Sequence, residues 1–148
     1  MTRPRVALLE PFAAGTQARI RALAGADLDL VFAEGTDAAA LAQALEAADY
    51  AVVRAVKLPA ALLDAAPGLK LIHQWGTGTD GIPVAEARAR GITVARSPGV
   101  NAPSLADLTV GLMLACLRRI PVGDARIRAG DWAEPDLYEI GRDLTGAR

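Results

Sequence analysis

The sequence predicts an α/β fold: a doubly wound parallel sheet with helices on both faces, followed by a long, mostly buried helix. Three observations predict it. Strand-like apolar runs and helical stretches alternate five times with short connections, the pattern of parallel strands and crossover helices. Proline and glycine punctuate those connections, as at Pro67, Gly68 and Gly91. From Pro103 the texture changes, because apolar residues then spread around almost the whole circumference of one helix.

Taken in order, VALL at 6–9 is a short strand ending at Glu10 and Pro11. Thr16 is placed to cap the first helix, Ile20, Leu23 and Ala24 share its inner face, and Gly25 ends it. Leu28, Leu30 and Phe32 alternate as a second strand. Thr36 or Asp37 caps the next helix, in which Leu41, Leu45 and Ala48 fall at i, i+4 and i+7. YAVVR at 50–54 is a third strand, and a short helix follows over 59–65.

Residues 69–101, LKLIHQWGTGTDGIPVAEARARGITVARSPGVN, form the unit around which the chain is organised. LKLI at 69–72 is a buried strand that opens onto the turn GTGTDG at 76–81. Pro83 suits the first position of a short helix, and Gly91 suits the residue just past its end. ITV at 92–94 returns as a strand, and RSPGVN at 96–101 makes a second turn. Ligands of open parallel sheets bind beyond the carboxyl ends of the strands, where both turns lie.

The helix from Pro103 carries Leu105, Leu108, Val110, Leu112, Met113, Leu114, Leu117 and Ile120 around almost its whole circumference. A helix apolar all round needs cover all round. The polar residues that follow it cannot supply that cover, so a second domain, a partner subunit or both are expected. Gly111 and Ala115, four apart, allow another helix to approach closely. Pro121 is expected to kink the helix, which continues to Gly130, and 132–148 reads as an extended linker.

Composition bounds the function. The 148 residues are 52% hydrophobic and 22% charged, a globular balance. A net charge of −1 gives no footprint for nucleic acid or an anionic membrane surface. The longest uncharged apolar run, 108–117, is about half the roughly 20 residues a bilayer span needs. The single Cys116 lies within an apolar helical run, so no disulfide framework exists and a reducing cytoplasm is expected. The amino terminus lacks the apolar core of a signal peptide.

GTGTDG satisfies G-x-G-x-x-G between a strand and a helix, and Arg96 stands where a reader of a ribose 2′-phosphate would. That is an NADP reading. Against it, Ile82 and Pro83 put the helix start after Gly81, and that helix is barely two turns long. A carboxylate-sized anion held by the amides of Gly76, Thr77 and Gly78 is the better reading, with a ligand-free tight turn as the bland alternative. His73, the only histidine, is expected to be a partly buried, hydrogen-bonded strand residue. No cysteine, second histidine or carboxylate pair stands near it to make a nucleophilic or metal site. Arg54 either pairs with an anionic ligand or makes a surface salt bridge. Asn101 either caps the long helix or hydrogen-bonds a small polar ligand. Trp75 and Trp132 read as packing residues.

The stretch LKLIHQWGTGTDGIPVAEARARGITVARSPGVNAPSLADLTVGLMLACLRRIP resembles the NAD(P)-dependent D-isomer-specific 2-hydroxyacid dehydrogenases. The likeness is close over 49–148 and one of layout over 1–48. It implies a flavodoxin-like substrate lobe over 1–101, long helices of a domain and dimer interface over 102–130, and a linker over 131–148 into a nucleotide-binding domain. By the same resemblance Thr77 and Gly78, with Gly76, present amides to the carboxylate of a small 2-oxo or 2-hydroxy acid. Arg54 lines the crevice, Asn101 makes a polar contact near the substrate, and Leu105 touches the nicotinamide end of NAD or NADP. The helix over 103–120 makes a homodimer. The chain departs from the pattern at Ala55, Val56, Lys57 and Leu58 after Arg54, at Arg96 in place of asparagine, and at Asp107 in place of glutamate.

DLTGAR at 143–148 resembles the approach to the first strand of the nucleotide domain. The glycine fingerprint, the substrate-gripping arginine and the glutamate–histidine pair of the family have no counterpart in this sequence, and His73 does not replace the histidine. The expectation is therefore the front part of a dehydrogenase, inactive alone. The alternatives are a stand-alone flavodoxin-like module for small carboxylates or for dimerisation, and a small NADP-binding protein using GTGTDG and Arg96.

Overall fold

The apolar runs fold into strands of four residues each, and among the described residues these make one five-stranded parallel sheet. The computed structural model describes residues 3–132 and 141–146. The strands are β1 (Arg5–Leu8), β2 (Asp29–Phe32), β3 (Tyr50–Val53), β4 (Leu71–Gln74) and β5 (Thr93–Arg96). Their order, β2-β1-β3-β4-β5, is the flavodoxin-like arrangement, with the winding direction reversing between β1 and β3. Tyr50 stands opposite both Val6 and Leu71, and Leu71 opposite Thr93.

Alternation along each strand sends side chains to two separate cores. Ala7, Leu9, Ala51, Val53 and Ile72 bury one face against Leu41 and Leu45 of α2 (Ala38–Leu45), Leu63 of a 3₁₀ helix (Ala60–Ala65) and Ala87 of α3 (Val84–Ala89). Each fully buried leucine there contributes about 1.5–3 kcal/mol of transfer free energy. Val6, Leu8 and Leu30 face the other way, toward Phe12 and toward Ile20 and Ala24 of α1 (Ala14–Ala24). Helices thus cover both faces. Leu23, expected beside Ile20 on the inner face of α1, is instead 87% exposed.

The helix ends follow local chemistry. The Asp37 carboxylate accepts from the N–H groups of Ala39 and Ala40 at 3.0 Å and so caps α2. Gly91, at φ 74°, ends α3. Its N–H reaches the Arg88 carbonyl while the Ile92 N–H reaches Ala87, the paired bonds of a Schellman motif. Thr16 does not cap α1. The helix begins directly after Ala13 with no side-chain cap, because Phe12 is fixed against the rings of Phe32 and Trp75 and the chain turns at once. β4 runs two residues later than the apolar run suggests. Leu69 is still in a turn onto the Ala66 carbonyl, and the ladder extends through His73 and Gln74.

At the amino ends of the strands Asp49 clasps three segments. Its carboxylate accepts from the Arg5 N–H at 2.9 Å and from Lys70 Nζ at 2.7 Å, and its own carbonyl accepts from the Lys70 N–H. The Lys70 hydrogen bond, with that of the Arg5 amide, holds the Asp49 carboxyl below its ordinary value, and Asp49 in turn raises Lys70.

The chain divides into two units, Met1–Gly99 and Val100–Arg148. In the second, α4 (Ala102–Leu117) and α5 (Ile120–Arg128) are separate helices, not one kinked at Pro121. The break lies at Arg119, in the left-handed region at φ 55°, and Pro121 sits in the first turn of α5, where its missing N–H is harmless. The helix expected to be mostly buried has no buried residue in this chain; Leu112, for example, is 57% exposed. The linker expected over 131–148 lies largely outside the described residues. Of its described part, Arg142 donates to the Leu117 carbonyl at 2.8 Å and Asp143 pairs with Arg118 at 2.9 Å.

Candidate functional site

At the carboxyl end of β4 the Trp75 N–H continues the ladder onto the Val53 carbonyl at 2.7 Å, and Gly76 then turns the chain at φ 154°. The Gly76 N–H donates to the Gln74 carbonyl at 2.9 Å, so this amide, expected to face a ligand, is already committed. The end of β5 holds the next two carbonyls. The Ser97 N–H donates to Gly76 at 2.9 Å, and Arg96 Nη1 donates to Thr77 at 3.2 Å. Thr77 and Gly78 are exposed, and among the described residues their N–H groups have no partner. Two adjacent peptide donors therefore stand open at the tip of the sheet, the chemistry of a small anion site.

The surroundings carry both signs of charge. Asp80 Oδ2 lies 2.9 Å from where a Gly78 Cβ would stand, an acidic group without an ion pair among the described residues. Arg96, bonded to the Thr77 carbonyl, brings a cation to the same loop. Arg54 follows β3 as an exposed residue, and among the described residues it has no carboxylate partner. Its carbonyl accepts from Gln74 Nε2 at 2.9 Å, which ties β3 to β4 just beneath the turn.

Two polar residues at this edge escape a reading by periodicity. Gln74, 6% exposed, is the buried polar side chain that makes the bond to Arg54. Glu10 reaches across the winding reversal between β1 and β3, where its Oε1 accepts from the N–H groups of Ala55 and Val56. The Ala55 and Val56 amides after β3 are thereby taken, whereas among the described residues those of Thr77 and Gly78 after β4 are not. The only sequence signal for Glu10 is a carboxylate placed directly after an apolar strand.

GTGTDG does not fit a dinucleotide. In a nucleotide fingerprint the third glycine packs helix against strand. Here Gly81 packs against the loop after β3: a Cβ on it would stand 2.7 Å from the Val56 carbonyl oxygen, and its own carbonyl accepts from the Leu58 N–H at 2.8 Å. α3 starts only at Val84 and is six residues long, so the glycines precede the helix instead of opening it. His73 is half-buried with Nε2 3.0 Å from Ser97 Oγ, the hydrogen-bonded strand residue expected of it. Trp75 packs on Phe12, whereas Trp132, also expected to pack, is 80% exposed in this chain.

Gly76, Thr77 and Gly78 are thus brought together with Arg96, Ser97 and the backbone of Arg54 in the first unit. Asn101 and Leu105 belong to the second. Asn101 precedes α4 without a side-chain cap bond, because φ −107° and ψ 8° are not the extended backbone that a cap needs. Leu105 is exposed on the first turns of α4.

The family model for the D-isomer specific 2-hydroxyacid dehydrogenase catalytic domain matches residues 6–141. The chain belongs to this family. A hydroxypyruvate reductase of Thermotoga maritima is 41% identical over 99 residues, 66% of this chain and 32% of that protein. A glyoxylate reductase of Thermofilum pendens is 47% identical over 92 residues, 61% of this chain and 27% of that protein. The solved 2-hydroxyacid dehydrogenase of Ketogulonicigenium vulgare superposes with a TM-score of 0.75 at 32% identity, covering 97% of this chain and 45% of that one. An NADPH-dependent glyoxylate/hydroxypyruvate reductase of Sinorhizobium meliloti, solved with citrate, gives 0.72 at 31% identity, covering all of this chain and 44% of that one. This family member therefore spans about a third or less of the curated relatives it matches and under half of those two solved chains. Among its described residues no helix is long and apolar enough to cross a membrane.

Proposed function

We propose that this chain is the substrate-holding part, over 1–101, of an NAD(P)-dependent D-2-hydroxyacid dehydrogenase. It grips the carboxylate of a small 2-oxo or 2-hydroxy acid, such as glyoxylate or hydroxypyruvate, through the N–H groups of Thr77 and Gly78. The observation that supports this reading is the pair of exposed amides, without a partner among the described residues, whose peptide carbonyls are held by Ser97 and Arg96. Two adjacent donors can serve the oxygens of one carboxylate, and charge-assisted bonds of this kind are about twice as strong as neutral ones. Arg54, exposed at the adjacent strand end and without a carboxylate partner among the described residues, lines the crevice.

The reaction served is hydride transfer between nicotinamide and the C2 carbon of the acid. The glycine loop does not fit NAD or NADP, and Leu105 is this chain's one candidate contact to the nicotinamide end, so no chemical step is assigned to residues of this chain. α4 with the residues to 120 supplies a homodimer face, and 131–148 leads into a nucleotide-binding domain. A reducing cytoplasm suits the exposed free thiol of Cys116.

The test is calorimetry of the 148-residue chain with glyoxylate and with glycolaldehyde, which keeps the carbonyl but lacks the carboxylate, alongside an assay of NADH oxidation. The expected result is millimolar binding of the acid alone and no turnover. Equal binding of the two compounds overturns the carboxylate site, and steady turnover overturns the assignment as a part inactive alone.

A further inference from the structure

The two open donors owe their direction to the end of β5. In a trans peptide the C=O and the N–H point opposite ways. The Thr77 N–H shares its peptide with the Gly76 carbonyl, which the Ser97 main chain holds at 2.9 Å. The Gly78 N–H shares its peptide with the Thr77 carbonyl, which the Arg96 side chain holds at 3.2 Å. Any residue except proline at 97 would supply the first tether. The second depends on one side chain, and it acts at a peptide that ends in a glycine. Glycine opposes backbone rotation least, and a turned Thr77–Gly78 peptide would offer an anion a carbonyl oxygen in place of an N–H. A cation bonded to the carbonyl also polarises the peptide, so that the N–H on its far side becomes a stronger donor. Arg96 is exposed and has no carboxylate partner among the described residues, so nothing there competes for its guanidinium.

We propose that Arg96 is a positioning residue of the site: bonded to the Thr77 carbonyl, it fixes the Gly78 N–H toward the acid without touching the acid itself. The proposal rests on the reading of Thr77 and Gly78 as the carboxylate donors. Its consequence is a loop set for anions by a residue behind it.

The test uses Arg96→Met, which keeps the stem and removes the charge, and Arg96→Lys, which restores a charge and a donor. Two quantities are read on the full chain: the N–H residual dipolar coupling of Gly78 without ligand, and the affinity for glyoxylate. In Arg96→Met the Gly78 coupling is expected to shrink toward zero while those of the sheet hold and the thermal midpoint stays at that of the wild type. Glyoxylate binding is expected to weaken by roughly three- to tenfold, about the net worth of one ordinary hydrogen bond, because the Gly78 donor is loosened and not removed. Arg96→Lys recovers part of both. An unchanged Gly78 coupling in Arg96→Met overturns the proposal, and so does weaker binding with that coupling unchanged, because Arg96 would then act on the acid directly. If wild type binds no glyoxylate, the carboxylate reading fails, and the ligand-free coupling still decides whether Arg96 orients the peptide.

Discussion

Replacing Gly81 by alanine puts a methyl carbon 2.7 Å from the Val56 carbonyl oxygen. An ordinary carbon–oxygen contact is about 3.3 Å or longer, so the two loops must part by roughly 0.6 Å. The obstacle is main chain on both sides, and Val56 is further held by Glu10 through its N–H at 3.0 Å. Parting also stretches the bond from the Leu58 N–H to the Gly81 carbonyl, now 2.8 Å, toward a length at which little of it remains. Overpacking of this kind costs about 1–3 kcal/mol and the weakened bond about 0.5–1.5 more, so a loss of roughly 2–4 kcal/mol is expected. In a domain of this size that lowers the thermal midpoint by about 10 °C or more. The matched control is Gly78→Ala, whose Cβ meets only the end of the exposed Asp80 side chain at 2.9 Å, a group free to swing aside. It should unfold within about 1 kcal/mol of wild type. Urea unfolding followed by circular dichroism compares the three proteins. If Gly81→Ala unfolds with the wild type, the third glycine is not there for loop packing, and the argument that separates GTGTDG from a nucleotide fingerprint fails with it.

Asp80→Asn removes a negative charge beside the open amides and should tighten glyoxylate binding by about two- to fivefold, with a gain that shrinks as salt is added; calorimetry at two ionic strengths checks this, and no change would separate Asp80 from the site. The Asp49 clasp predicts a particular acid dependence. Because Asp49 titrates below its ordinary 3.8 when folded, its stabilisation is present above that value and lost as pH falls through the lowered one. Asp49→Asn should flatten the acid limb of a plot of urea midpoint against pH. Lys70 is shifted up from 10.5, so its share is present below that value and lost as pH rises through the raised one. If α4 makes the proposed homodimer, Leu112→Asp should convert a dimer to a monomer in sedimentation velocity without changing the circular dichroism of the sheet; an unchanged dimer places the interface elsewhere.

Much of the fold was legible because its signals are local. The Asp37 cap, the α2 residues Leu41 and Leu45, and the positive-φ glycines Gly25 and Gly91 each follow from one residue type at one spacing. Where the structure departs from the local pattern, a distant contact decides the matter. Thr16 yields to Ala13 because Phe12 is pinned by Phe32 and Trp75, both far off in sequence. β4 starts late because its register is set by β3, not by its own apolar run. Pro121 starts a helix where a kink was expected because Arg119 takes up a left-handed backbone, which no pattern announces. The candidate site was legible as a glycine turn at a strand end, but not in its details. That the Gly76 amide is spent on Gln74, and that Arg96 and Ser97 aim the other two, depends on pairings across the sheet that spacing alone does not encode.

The central claim is that the exposed amides of Thr77 and Gly78 take an acid group. The most direct measurement is a backbone amide NMR titration of the 148-residue chain with glyoxylate. The account predicts downfield movement of the Thr77 and Gly78 N–H signals, with Gly76 and the amides of Ala55 and Val56 moving far less, because those are already bonded within the protein. Movement at Ala55 and Val56 with Thr77 and Gly78 still would contradict it.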